Sequence, residues 1–153
     1  MLKASLIEVL LRGIPESLIL AWGIYVLCSK KIDINLYLFT SFLVVISMFF
    51  IRLLPIAYGV HTSLGIIMII IITSFVNNIP VIKAISSTLI LMILLSICEW
   101  LNIFISENLF MINLQKAFSI PLQKNLYGIP SLILLALIIY VIQIYVNKRN
   151  KLS

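Results

Sequence analysis

Long apolar runs, each ended by a short polar or proline-bearing break, divide this chain into five segments. A helix crossing ~30 Å of hydrocarbon needs about 20 apolar residues. The runs from Leu36 to Leu54, Ile82 to Ile105 and Ile129 to Val146 have that length. The second of the five predicted spans covers Leu36 to Leu54 and stops at Pro55. The third opens near Tyr58 or His61 and reaches Phe75, before the turn Val76-Asn77-Asn78-Ile79-Pro80. The fourth runs from Val81 to about Ser106, and the fifth from Pro130 to Val146. The first, Leu2 to Cys28, is broken at Gly13-Ile14-Pro15. Proline suits a helix's first turn and disrupts its interior, so a short interfacial helix to Arg12 and a new helix from Pro15 are predicted. Pro15 to Cys28 is only about 21 Å long at 1.5 Å per residue, so the residues before Pro15 must dip into the membrane or continue as a kinked helix. The mixed segment from Glu107 to Tyr127 is too polar to span and reads as an interfacial helix lying over the bundle.

The fold expected is therefore all-α: one integral membrane bundle over residues 1–153, with about five transmembrane helices and short interfacial ones. Composition agrees. Hydrophobic residues make up 63% of the 153 and charged residues 10%, where soluble domains carry roughly 25% charged. Mean hydropathy is +1.22. Such a chain has room for one bundle and none for a soluble catalytic domain, so any activity sits within or between helices.

The net charge of +6 falls on residues flanking the apolar runs, where cations set topology. With five spans, Lys30, Lys31, Lys83, Lys148, Arg149 and Lys151 share one side, and Lys3, Arg52, Lys116 and Lys124 the other. The positive-inside rule then predicts a multi-pass cell-membrane protein with its N-terminus outside and its C-terminus in the cytoplasm. No Lys/Arg stripe interleaved with aromatics is present to hold a phosphate backbone, so nucleic acid is not an expected partner. Glu8, Arg12 and Glu16 interrupt what would be the apolar region of a signal peptide, so none is expected to be cleaved.

The scarce polar residues are the candidate chemistry. Glu8, Arg12 and Glu16 are spaced four apart, on one face of a continuous helix. Arg52 ends the second span and His61 opens the third. On the fourth, Thr88, Met92, Ser96, Glu99, Asn102 and Ser106 recur every three or four residues as one polar stripe. Glu99 lies well inside its span, where an unpaired carboxylate costs several kcal/mol. It should face the interior, with Arg52, Arg12 and His61 as partners. Arg12, Glu16, Arg52, His61, Glu99 and Asn102 thus form an expected ligand-binding set in the outer half, with no comparable set in the inner half. The same residues read equally well as a salt-bridge network clamping the helices. His61 alone also reads as a capping or headgroup residue.

Two other features have bland readings beside sharper ones. Cys28 and Cys98 lack metal-ligand spacing and read as small buried hydrophobes, although Cys28 beside Lys30 and Lys31 also suits palmitoylation. Gly128-Ile129-Pro130-Ser131-Leu132 echoes Gly13-Ile14-Pro15-Glu16-Ser17-Leu18 without the glutamate. Paired Gly/Pro breaks mark binding sites in some transporters, and are equally a good way to start a membrane helix.

G-x-x-x-x-G-K-[ST], G-x-G-x-x-G, H-E-x-x-H and G-x-S-x-G motifs are absent, and one histidine with two dispersed cysteines suits neither zinc nor haem. No cofactor, metal or catalytic residue is expected. Arg52, Gly59 and His61 faintly resemble the Arg…Gly-x-His stretch of the accessory gene regulator peptide-processing proteases. The cysteine that follows the histidine in those enzymes is missing from Thr62-Ser63-Leu64-Gly65. A broader resemblance rests on Leu11-Arg12-Gly13-Ile14-Pro15-Glu16, Arg52-Leu53-Leu54-Pro55-Ile56, Tyr58-Gly59-Val60-His61-Thr62 and Cys98-Glu99-Trp100-Leu101-Asn102. These are similar to segments of small polytopic membrane proteins of clostridia and of the membrane sensor portion of quorum-sensing histidine kinases. The resemblance implies recognition of an extracellular peptide or small ligand. With no kinase domain in the sequence, it implies signalling through a membrane or cytoplasmic partner.

The function expected is a signal-sensing or partner-binding module with an outward-facing polar pocket, covered by the segment from Glu107 to Tyr127. The alternatives are a small transporter or its substrate-binding subunit, and a structural membrane protein such as an assembly or immunity factor.

Overall fold

The computed structural model describes residues 12–54, 58–108 and 121–150, and every element among them is a helix. In chain order these are α1 (Ile14–Leu27), α2 (Ile34–Leu53), α3 (Tyr58–Asn77), α4 (Val81–Asn108) and α5 (Pro121–Asn150). The segment before Arg12, including Glu8, lies outside the described residues.

Local chemistry fixes the ends. Ser29 takes a left-handed φ of 52° after α1. The amides of Ser29 and Lys30 then bond back to Val26 O (3.1 Å) and Tyr25 O (3.0 Å), a Schellman closure that satisfies two orphan carbonyls. The Asp33 carboxylate accepts from the Asn35 amide at 3.1 Å and caps α2, which ends before Pro55. Asn78, at φ 50°, closes α3 in the same left-handed way, and Pro80 prevents it from continuing. Within the helices, hydroxyls are tied down locally. Thr40, Ser41, Ser47, Thr73 and Ser96 each donate to the carbonyl four residues earlier, at 2.7–2.9 Å. A hydroxyl so bonded can lie in an apolar helix without an unsatisfied donor.

The helices are apolar all round, as bilayer helices must be. Phe42, Phe50, Phe75, Ile82, Ile93 and Val141 point outwards and are more than half exposed. In water such a surface would be an aggregation hazard. Among the described residues, α2 to α5 each contain a stretch long and apolar enough to cross a membrane, and α1 is a shorter apolar helix. This is a multi-pass, all-α bundle.

Successive helices run in opposite directions, and α1 packs against α2, α4 and α5. The core is built from Leu20 and Ile24 of α1, Leu91 and Leu95 of α4, and Leu135 and Ile139 of α5. Gly23 lets α1 approach closely. A Cβ there would lie 2.6 Å from Leu91 Cδ2 and 3.0 Å from Ile139 Cδ1.

The structure corrects the predicted spans in three places. Among the described residues, four helices rather than five have spanning length. α1, with 14 residues and about 21 Å, is shorter, and π-helical backbone at Arg12 and Gly13 precedes it. Its contacts on three sides supply the packing that length does not. The segment from Glu107 to Tyr127 does not form a separate surface helix over all its length. Residues 107–108 extend α4, residues 121–127 open α5, and residues 109–120 lie outside the described residues. Pro130 consequently sits inside α5 rather than at its start. It gives up one backbone hydrogen bond there, while Ser131 Oγ donates to Gly128 O at 2.7 Å. Ser17 Oγ donates to Ile14 O at 2.9 Å in the echoing segment of α1, so both copies use a serine to occupy a carbonyl beside the proline.

Candidate functional site

Two polar clusters mark opposite ends of the bundle. At the end where α1 begins, Arg12 reaches both glutamates of the expected set. Its Nε lies 3.6 Å from Glu16 Oε2, one turn along the same helix, and its Nη2 donates to Glu99 Oε1 on α4. Position 128 on α5, beside this guanidinium, is glycine, which leaves the arginine its full room. A Cβ there would sit 3.1 Å from Arg12 Nη1. One guanidinium thus ties α1 to α4 while lying along α5. The side chains of Arg12, Glu16 and Glu99 keep 22%, 18% and 38% of their accessibility, so the cluster is at the rim of the core rather than within it. Pairing lowers the cost of these charges in an apolar setting, and residual access to water lowers it further. Two carboxylates against one guanidinium leave the cluster with one net negative charge.

The other expected residues lie at the same end. Asn102 is half-buried, one turn beyond Glu99 on α4. Arg52 is exposed in the last turn of α2 and makes no ion pair with a described residue. His61 is half-buried in the first turn of α3, and its Nδ1 is buried with no hydrogen-bond partner among the described residues. The polar stripe of α4 also splits. Leu91, Leu95 and Cys98 take the buried centre, Thr88 and Ser106 lie beside it, and Ser96 is exposed and bonded to its own helix.

The opposite end holds a cluster that hydropathy alone did not predict. Asn77, at the end of α3, is fully buried; its Oδ1 accepts from Tyr25 Oη of α1 at 2.6 Å and takes the longer, 3.1 Å branch of the Thr40 hydroxyl of α2, whose proton is shared with Leu36 O. Lys30 Nζ donates to the Asn77 carbonyl, a cation on the negative end of a helix. Tyr37 packs edge-on against Tyr25, with centroids 6.2 Å apart, and donates to Leu18 O at 2.9 Å. Asn77 Nδ2 is buried with no partner among the described residues. The inner half thus holds a neutral hydrogen-bonded set, which differs in kind from the charged set expected in the outer half. Asn77 read as part of a turn, whereas the left-handed residue is Asn78 and Asn77 still belongs to the helix. The signal available was Thr73, four residues before Asn77 and on its face, together with a tyrosine far from the start of α1.

No group of three or more His, Cys, Asp or Glu among the described residues could hold a metal ion. No protein-family model matches the chain, and neither a curated protein nor a solved structure matches it.

Proposed function

We propose that this chain is a signal-sensing or partner-binding module of the cell membrane. Its ligand-reading end is the Arg12–Glu16–Glu99 cluster. The observation that carries this reading is the bridge from Arg12 to Glu99 with a carboxylate still more than a third accessible. That exposure lowers the cost of the charge in a clamp as well, and it also leaves the carboxylate open to a ligand, which a receptor site needs. The net negative charge suits the amino group of an extracellular peptide or small ligand. Such a cation would compete with Arg12 for Glu99 and so loosen α1 from α4, a contact change that a membrane or cytoplasmic partner could read. Arg52, His61 and Asn102 form the rim of this pocket. The resemblance to quorum-sensing sensor portions points the same way. The excess of lysine at the opposite end supports a cytoplasmic position for that end and an outer one for the cluster.

Transport is the second reading, and the middle of the bundle weighs against it. Between the two clusters lie Leu20, Ile24, Leu91, Leu95, Leu135 and Ile139, all at most 7% exposed. A solute path would need polar groups through that layer.

The test is carboxyl labelling of intact cells by a water-soluble carbodiimide with an amine. Glu99 should be modified from outside, and the peptide fraction of spent culture medium should protect it. Labelling that requires permeabilised cells would overturn the orientation. Labelling that no medium fraction affects would leave the cluster as scaffold.

A further inference from the structure

The residues where α1 meets α5 form one continuous seam along the height of the bundle. On α1 and just beyond it, Pro15, Ile19, Trp22, Val26 and Ser29 follow at spacings of four, three, four and three. On α5, Ile133, Ala136, Tyr140, Gln143 and Asn147 follow at three, four, three and four. These residues line two recesses of about 430 Å³ each, end to end on that seam. The volume is that of a small-ligand pocket. The first recess, from Pro15 to Tyr140, is walled almost wholly by apolar side chains. The second opens at the basic end, between Lys30, Lys31, Ser29, Gln143 and Asn147. One groove is thus apolar along most of its length and cationic at one mouth.

We infer that this seam binds one anionic phospholipid, its phosphate at Lys30 and Lys31 and one acyl chain laid along Val26, Trp22 and Ile19 of α1. Charge complementarity selects the occupant, since basic recesses between membrane helices hold anionic headgroups. Lys30 spends one ammonium proton on the Asn77 carbonyl and keeps two for a phosphate, and Lys31 is exposed beside it. A second copy of the chain docked in parallel on this seam would instead bring two Lys30–Lys31 mouths together. The dimensions agree: from Ser29 to Ile19 is about 15 Å of helix, half of a ~30 Å hydrocarbon core and so one leaflet's chain.

Trp22 in the groove is the reporter. The Trp100→Phe variant leaves it as the single tryptophan. It should be reconstituted in phosphatidylcholine bilayers containing a minor fraction of chain-brominated phosphatidylglycerol or chain-brominated phosphatidylcholine. Trp22 quenching should show an apparent affinity for the anionic lipid about fivefold or more above the neutral one, the worth of roughly one lysine near a headgroup. K31Q should lower that preference about fivefold and K31R should keep it. K83Q, which loses the same charge at the same end on α4, should retain it. Three results would overturn the assignment: equal quenching by both lipids, equal losses in K31Q and K83Q, or protection of Trp22 from both lipids. The last would show a partner helix or a second copy covering the seam. Unchanged thermal unfolding of K31Q separates loss of binding from loss of fold.

Discussion

The two ends of the bundle treat polar groups in opposite ways. At the Lys30 end, Tyr25, Thr40 and Asn77 are neutral, join α1, α2 and α3, and are at most 1% exposed. At the Arg12 end the groups are charged, join α1 to α4, and remain between about a fifth and two fifths accessible. The physical rule behind the contrast is that a neutral group can be buried once it is hydrogen-bonded, while a buried charge keeps a desolvation cost even when paired. One end is therefore a lock, and the other an interaction that water or a ligand can contest.

That contrast ranks a set of substitutions. Asn77→Leu removes the acceptor shared by Tyr25 and Thr40 and leaves the phenol buried without a partner. It should lower stability by about 3 kcal/mol, measured by reversible unfolding in mixed micelles. A loss below about 1 kcal/mol would deny that this end is a lock. Arg12→Ala leaves two carboxylates uncompensated at the opposite end. Because they retain access to water, the expected loss is about 2 kcal/mol, short of the ~3–5 kcal/mol of a fully buried pair. Adding Glu99→Gln should return about half of it, and a double variant no better than the single would break the pairing. Tyr25→Phe keeps the ring and the Thr40 bond and should cost about 1 kcal/mol. Asp33→Ala breaks no hydrogen bond of either cluster and chiefly removes the cap of α2. Its effect, about 0.5–1 kcal/mol, sets the floor against which both ends are judged.

The fold was legible where the backbone itself carried the instruction. Pro55 and the Asn77-Asn78-Ile79-Pro80 turn placed helix ends within a few residues, because prolines and turn residues act locally. The start of α5 was misread because Pro130 looks like a helix start, and helical continuation through it depends on neighbours that packing supplies. Glu99 and Arg12 could be paired in advance because a carboxylate at that depth needs a cation. Arg52 met the same depth criterion, yet it projects outward. Periodicity gives a residue's height along a helix and its position around it, but not which helix stands opposite. Asn77 escaped for the converse reason. A neutral side chain beside a turn carries no desolvation alarm, and only tertiary packing turned it inward.

The Arg12–Glu99 bridge joins residues 87 positions apart. The described part of α1 is shorter than a full span, and before the later helices are made Arg12 has Glu16 as its ion-pair partner but not Glu99. Its final seat exists only after the fourth helix has been made and, because Gly128 shapes the same niche, the fifth as well. Biogenesis must therefore hold the opening segment in a provisional location until nearly the whole polypeptide has been synthesised. A nascent chain arrested before position 99 should leave Arg12 more reactive to water-soluble reagents than it is in the finished protein, where its side chain is 22% accessible.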